Sequence, residues 1–215
     1  MTPFTDAIVG RAEKMVEIAA QDFLEKTGQF TFCLSRPPGH HACQGKRRGF
    51  CHKNFAITAL DYFWSRGKSC VILDIDAHFG DGTVAELDKR PYGAYVSIHG
   101  FGKNVYPGTG DAVETARILS LPLPPDSGNS AWLDTFQNKA LPFMRKSGAD
   151  IVIVSAGFDA HKADVIAPLR LNNSAFMEIG KELRLLGKPV FVVLEGGYNL
   201  DTLGHSVSAF IQGFC

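Results

Sequence analysis

The sequence is short of every feature that would mark a disulfide-stapled, membrane-spanning or polyanion-binding protein. Its five cysteines, Cys33, Cys43, Cys51, Cys70 and Cys215, form no CxxC pair and leave one over when paired. That argues against a disulfide framework or a cysteine-built zinc knuckle and fits a reducing, cytoplasmic setting. No apolar run approaches the ~20 residues needed to cross a bilayer. The N-terminal stretch carries acidic residues, without an uninterrupted apolar core or a small-residue cleavage site, so it does not read as a signal peptide. Charge of one sign is missing too: 22 Lys plus Arg balance 22 Asp plus Glu. The composition therefore holds no pull toward nucleic acid, membrane or polyanion, and a charged substrate must be recognised locally. With no repeat, low-complexity tract or charge block to act as a linker, the 215 residues are expected to form a single domain, 1–215.

What is present is alternation. Runs rich in β-branched and apolar residues at 30–35, 69–76, 94–99, 118–123, 151–156 and 190–194 read as buried strands. Stretches with helical spacing lie at 6–25, 54–66, 131–145, 174–186 and 200–213, with Asn173 or Ser174 as the expected cap of the fourth and Asp201 in the first turn of the last. This order predicts an α/β domain of three layers, a mostly parallel sheet covered on both faces. In such sheets the ligand site gathers beyond the carboxyl ends of the strands, and the polar clusters fall there. RPPGHH follows the first run, DIDAH ends the second, SAGFDAH ends the fifth and EGGY ends the sixth.

Asp74, Asp76 and His78 stand at i, i+2 and i+4 as a buried strand runs out, and strand alternation puts all three side chains on one face. Two carboxylates and an imidazole there are costly to desolvate unless a cation or a set of hydrogen-bond donors compensates. The competing reading is an ion-paired core or a helix-capping cluster. Asp159 repeats the situation at another strand end, where an ordinary cap is the alternative. A histidine plus two carboxylates with an open position is what a catalytic zinc site requires. His40 and His41 follow a turn stiffened by Pro37 and Pro38, and one could serve as a base beside a metal, with Asp74 and Asp81 as the spare carboxylates to orient them; a surface histidine pair is the alternative. Tyr198, after Gly196 and Gly197, could donate its hydroxyl to a developing oxyanion or simply pack.

Taken together, RPPGHHA, GFCHKNFA, LDIDAHFGDGT, YPGTGD, SAGFDAH and EGGYN closely resemble the zinc-dependent histone deacetylase family, most of all its class II and bacterial deacetylase-like amidohydrolase branch. The resemblance implies an arginase/deacetylase α/β domain with a zinc ion at the base of a narrow acyl-lysine channel. It makes Asp76, His78 and Asp159 the zinc ligands, His41 with Asp81 the general base, and His40 with Asp74 an electrostatic partner. Tyr198 would polarise the acyl carbonyl. Gly49, Phe50 and Tyr106 would wall the channel, and family members usually carry Phe where Tyr106 stands. A potassium ion is implied at Asp74, Asp76, His78, Ser97 and Ile98. The implied substrate is an acyl-lysine peptide or a small acylated amine.

Two departures from the family pattern carry expectations. Only about thirty-five residues precede RPPGHH, so the family's first strand, its rim residue and an internal arginine have no counterpart. An uncovered sheet edge predicts self-association into a homo-oligomer, which a clean monomer by light scattering at micromolar concentration would contradict. The loop after Asp159 offers apolar Ile166 where polyamine-specific members place an acidic gatekeeper, which disfavours a polycationic substrate. Three other readings compete: a two-manganese site of the arginase type, which Gly80 opposes because that pattern needs Asp there; a pseudoenzyme, opposed by the intact catalytic set; and a small-molecule amidohydrolase.

Overall fold

Each apolar run of the sequence becomes a strand of one sheet. The computed structural model describes residues 2–26 and 29–215. Its strands are β1 (Phe30–Cys33), β2 (Cys70–Asp74), β3 (Gly93–Gly100), β4 (Val113–Glu114), β5 (Ile118–Leu123), β6 (Ile151–Ala156) and β7 (Val190–Leu194). They lie in the order β1-β7-β6-β2-β3-β5-β4, all parallel except the β4–β5 pair. The two-residue β4 escapes the sequence pattern because both of its residues are exposed and too few to alternate.

Strand alternation divides the core into two layers. Val71, Leu73, Val152, Val154 and Val192 face one side with Trp132, Phe136, Phe176 and Phe210. Ile72, Tyr95, Ile153 and Phe191 face the other, against Val16 and Phe23 of α1 (Thr5–Glu25) and Leu60 and Phe63 of α2 (Phe55–Trp64). The first layer is covered by α4 (Asn129–Thr135), α5 (Leu141–Lys146), α6 (Asn173–Leu185) and α7 (Leu200–Gln212). This is the expected three-layer α/β domain. Outside β1 no strand pairs with the sheet among the described residues, and Leu34 just beyond it is exposed.

Three local readings need correction. The cap of α6 is Asn172, one residue before the expected pair, and its side chain accepts from the Ser174 N–H. The predicted helix over 131–145 is interrupted by a π turn, Phe136–Ala140, in which the Leu141 N–H reaches the Phe136 carbonyl. Pro142 follows directly, with no N–H to donate one turn back. A short helix, α3 (Asp81–Leu87), has no forecast at all. Among the described residues no helix is long and apolar enough to cross a membrane.

Candidate active site

β2 ends at Asp74, so the alternation argument does not reach Asp76 and His78. They lie on an irregular segment that the carboxylates themselves fold: Asp74 Oδ1 accepts the Asp76 N–H at 3.1 Å and Asp76 Oδ1 accepts the His78 N–H at 2.9 Å. The result is what the sequence reading wanted, three buried polar side chains at a strand end, reached by side-chain capping instead of pleat.

Asp159, after β6, joins them. His78 Nδ1 lies 3.1 Å from Asp76 Oδ1 and 3.0 Å from Asp159 Oδ2, and one ligating atom from each of the three falls within 4.8 Å of the others. Backbone donors hold the remaining oxygens, Gly196 N–H on Asp76 Oδ2 and Ala77 N–H on Asp159 Oδ1, both at 2.9 Å. A Cβ at Gly157 would strike Asp76, and one at Gly196 would strike both carboxylates. The donor set, one imidazole and two fully buried carboxylates oriented by amides, fits a divalent cation.

The histidine pair divides by environment. His40 Nδ1 lies 3.1 Å from Asp74 Oδ2, which also accepts from the Tyr95 hydroxyl at 2.9 Å. Burial works against a charged His40, but Asp76 and Asp74 outweigh it and hold its pKa well above the ordinary value. His41 Nδ1 lies 2.9 Å from Asp81 Oδ1, at the start of α3, and Asp81 is also paired with Arg48 at 2.8 Å. Burial, joined by the charge of His40, pushes His41 down to about 4. At neutral pH His41 is therefore an uncharged imidazole able to take a proton.

Tyr198 approaches from the turn after β7. Burial, with Asp76 and Asp159 nearby, pushes its hydroxyl up, so it remains a donor. Residues without a forecast role fix this turn. Asp164 Oδ2 accepts the Tyr198 and Asn199 N–H groups at 2.7 and 3.0 Å. Glu195, fully buried, accepts the Gly39 and His40 N–H groups at 2.6 and 3.0 Å, tying the histidine turn to the Tyr198 turn. Arg36 donates to the Glu195 carbonyl at 3.0 Å and its guanidinium lies 5.8 Å from the centre of the Tyr198 ring. The only sequence signal for Glu195 was a carboxylate closing an otherwise apolar strand.

His41, His78, Tyr198, Gly49, Phe50, Tyr106 and Ile166 all line one cavity of about 710 Å³. Gly49 and Phe50 sit at φ 53° and 63°, consecutive left-handed residues in a tight turn closed by two Arg48–Cys51 backbone bonds. Phe50 is strained there and stands 67% exposed at the lip, while a Cβ at Gly49 would enter the His41 ring. Tyr106 stands edge-on to His41, ring centres 4.8 Å apart. Ser97 lies opposite Asp74 in the β2–β3 register, with buried Ile98 next.

These shifts set the pH response of the metal-free fold. Burial, with Asp76, raises Asp159 to about 6. Burial, with Asp74 and Asp76 and against His40, raises Glu195 to about 7. Burial opposes a charged His78, but Asp159 and Asp76 prevail and raise it to about 10. Each group binds its proton more tightly folded than unfolded, so each stabilises at low pH and loses that contribution as pH rises through its folded value. His41 acts oppositely, but only below its unfolded value near 6.5. From about pH 6.5 to about pH 8.5, Glu195, His78 and His40, which is also held above its ordinary value, all lose stabilisation as pH rises, and the melting temperature of chelator-treated protein should fall. A rise over that interval would contradict the assignment.

Residues 2–214 match the histone deacetylase domain. Histone deacetylase 14, chloroplastic, of Arabidopsis thaliana is 37% identical over 82% of this chain and 44% of its own length. Acetylpolyamine amidohydrolase 2 of Pseudomonas aeruginosa is 33% identical over 93% of the chain and 60% of its own length. A probable deacetylase of Methanothermobacter thermautotrophicus is 34% identical over 99% and 66%. The crystal structure of the HDA15 HD domain superposes with a TM-score of 0.88 at 31% identity, covering 94% of this chain and 62% of that one. An acetylpolyamine aminohydrolase from Burkholderia pseudomallei gives 0.88 at 29% identity. The chain thus spans 44–66% of the length of these three sequence relatives.

Proposed function

Because the chain belongs to the histone deacetylase family, we propose that it hydrolyses an N-acyl amide of the acetyl-lysine type, releasing carboxylate and free amine, at one zinc ion held by Asp76, His78 and Asp159. The observation that carries this reading is convergence. His78, the neutral His41 and the protonated Tyr198 line the floor and wall of one cavity, and they come from three separate strand ends. When bound, zinc would acidify a water and draw electron density from the acyl oxygen.

The rest falls to the chain's own groups. Asp81 occupies His41 Nδ1, so Nε2 is the nitrogen free to take the proton of the attacking water and later deliver it to the departing amine. The Tyr198 hydroxyl donates to the oxygen that gains charge, and Asp164 holds its turn in place. Charged His40, backed by Asp74, offsets the negative charge of Asp76 behind the cavity. Phe50 and Tyr106 would flank the lysine methylenes.

A single ion is favoured by Gly80, where any Cβ would collide with Asp74 and the Tyr95 hydroxyl. No ligand for a second ion can project from that position. We propose potassium at Asp74, Asp76, His78, Ser97 and Ile98, supported by the pairing of Asp74 with Ser97. The alternative substrate is an acetylated polyamine, favoured by the 33% identity to an acetylpolyamine amidohydrolase and opposed by Ile166 at the cavity wall. Comparing acetyl-lysine peptides with acetylated polyamines on zinc-loaded protein separates the two. Faster turnover of the polyamine would reverse the choice, and turnover of neither would sink the hydrolytic reading.

A further inference from the structure

A chain with 22 positive and 22 negative side chains need not be neutral at its active-site mouth. Lys103, Arg170 and Asp126 are the side chains that place full charges on the cavity wall away from the catalytic floor. Arg170 Nε lies 2.9 Å from Asp126 Oδ1, so these two cancel. The loops bearing them are fixed to each other: the Asp126 N–H donates to the Pro168 carbonyl at 2.7 Å and the Arg170 N–H to the Ser127 carbonyl at 2.9 Å. Lys103 is exposed and makes no salt bridge to a carboxylate among the described residues.

A neighbouring cavity repeats the imbalance. A second cavity of about 510 Å³ shares Phe50 and Tyr198 with the first and is otherwise lined by apolar side chains, Thr5, His52 and Arg36. Arg36 is spent on a carbonyl and an aromatic ring, neither of which neutralises its charge. Nearer the floor, Arg48 is matched by Asp81 at 2.8 Å. Lys103 and Arg36 therefore each line a cavity bounded by Phe50 and Tyr198, and neither makes a salt bridge among the described residues.

We propose that this mouth selects acyl amides whose amine half carries a carboxylate at the outer end of its methylene chain, remote from the acylated nitrogen, and disfavours amines with further positive charges. The inference rests on the hydrolytic reading above and adds the charge class of the substrate. The carboxylate could be the α-carboxylate of acyl-lysine itself or an acidic side chain beside it in a peptide. Lying away from the reacting bond, the cations would act on ground state and transition state alike, so the preference belongs in KM and not in kcat.

The test uses zinc-loaded protein and acetyl-lysine peptides flanked by Glu, Gln or Lys, together with free acetyl-lysine and its carboxamide. Binding of each is measured by competition with a fluorescent peptide, and kcat/KM in parallel. Exposed charge pairs contribute modestly, so Glu-flanked should exceed Lys-flanked peptide roughly three- to tenfold, and about 1 M salt should narrow the gap. Lys103→Gln should reduce the ranking and Lys103→Glu should abolish or invert it, with kcat on the Gln-flanked peptide unchanged. A preference confined to free acetyl-lysine over its carboxamide would assign the cations to the α-carboxylate, and one confined to peptides to a side chain. Equal binding across the charge series, or a ranking indifferent to Lys103→Glu, overturns the proposal. Because binding is read separately, a charge preference without turnover would fault the hydrolytic reading and leave the charge selection standing.

Discussion

Asp159→Ala is expected to remove metal binding and turnover together. Even the outer partners of metal ligands are each worth about 10–100-fold in affinity, so loss of a direct ligand should weaken zinc by at least ~100-fold. The structure sharpens the expectation, because Asp159 Oδ1 is taken by the Ala77 N–H and Oδ2 faces His78 Nδ1. Among the described residues the neighbouring buried carboxylates are already engaged, Asp74 with His40 and Tyr95 and Glu195 with the Gly39 and His40 N–H groups. Dialysed variant protein analysed for zinc, and assayed on acetyl-lysine peptide, reads both effects. Retention of one zinc per chain would mean that Asp159 is a capping residue after all.

The second large effect belongs to His41→Ala, which should retain zinc and lose turnover by about 10²–10⁴-fold. His41 is the uncharged member of the pair, held down to about 4 by burial and by His40, and its Nδ1 is occupied by Asp81 at 2.9 Å. Asp81→Asn should cost less, because an amide oxygen can still accept that hydrogen bond while the charge that steadies protonated His41 is gone. The comparison is made on kcat with zinc content measured in parallel. Near-normal kcat in His41→Ala would transfer the base role to another group and undo the proton pathway proposed here.

Most of the architecture was legible because buried parallel strands announce themselves. Runs such as Val-Ile-Leu-Asp and Val-Phe-Val-Val-Leu have no solvent-facing positions, so their composition alone identifies them. The polar clusters of the candidate site were legible for a related reason, since a carboxylate or histidine closing such a run conflicts with burial and invites a functional explanation. The parts that stayed hidden depend on tertiary partners. Asp164 and Glu195 act by accepting backbone N–H groups from turns 34 to 156 residues away in sequence, a role with no local signature. The helix α3 begins at Asp81 with Gly80 before it and no side-chain cap, so it lacked both a start signal and length. Its importance lies in presenting Asp81 to His41.

The extension of the β2 pattern to His78 failed instructively. Chain direction beyond Asp74 is set by carboxylates accepting nearby N–H groups, and the same residues that end the strand build the candidate metal site. Charge at the mouth was equally invisible in composition, because Lys103, Asp126 and Arg170 meet only through the fold.

The central claim is that one zinc ion at Asp76, His78 and Asp159 makes this chain an amidohydrolase. Its most direct test is acetyl-lysine peptide hydrolysis by chelated protein as zinc is returned stepwise. The account predicts no turnover without metal and recovery that is complete at one zinc per chain. Undiminished turnover in protein shown to be metal-free, or recovery that requires two ions per chain, would contradict it.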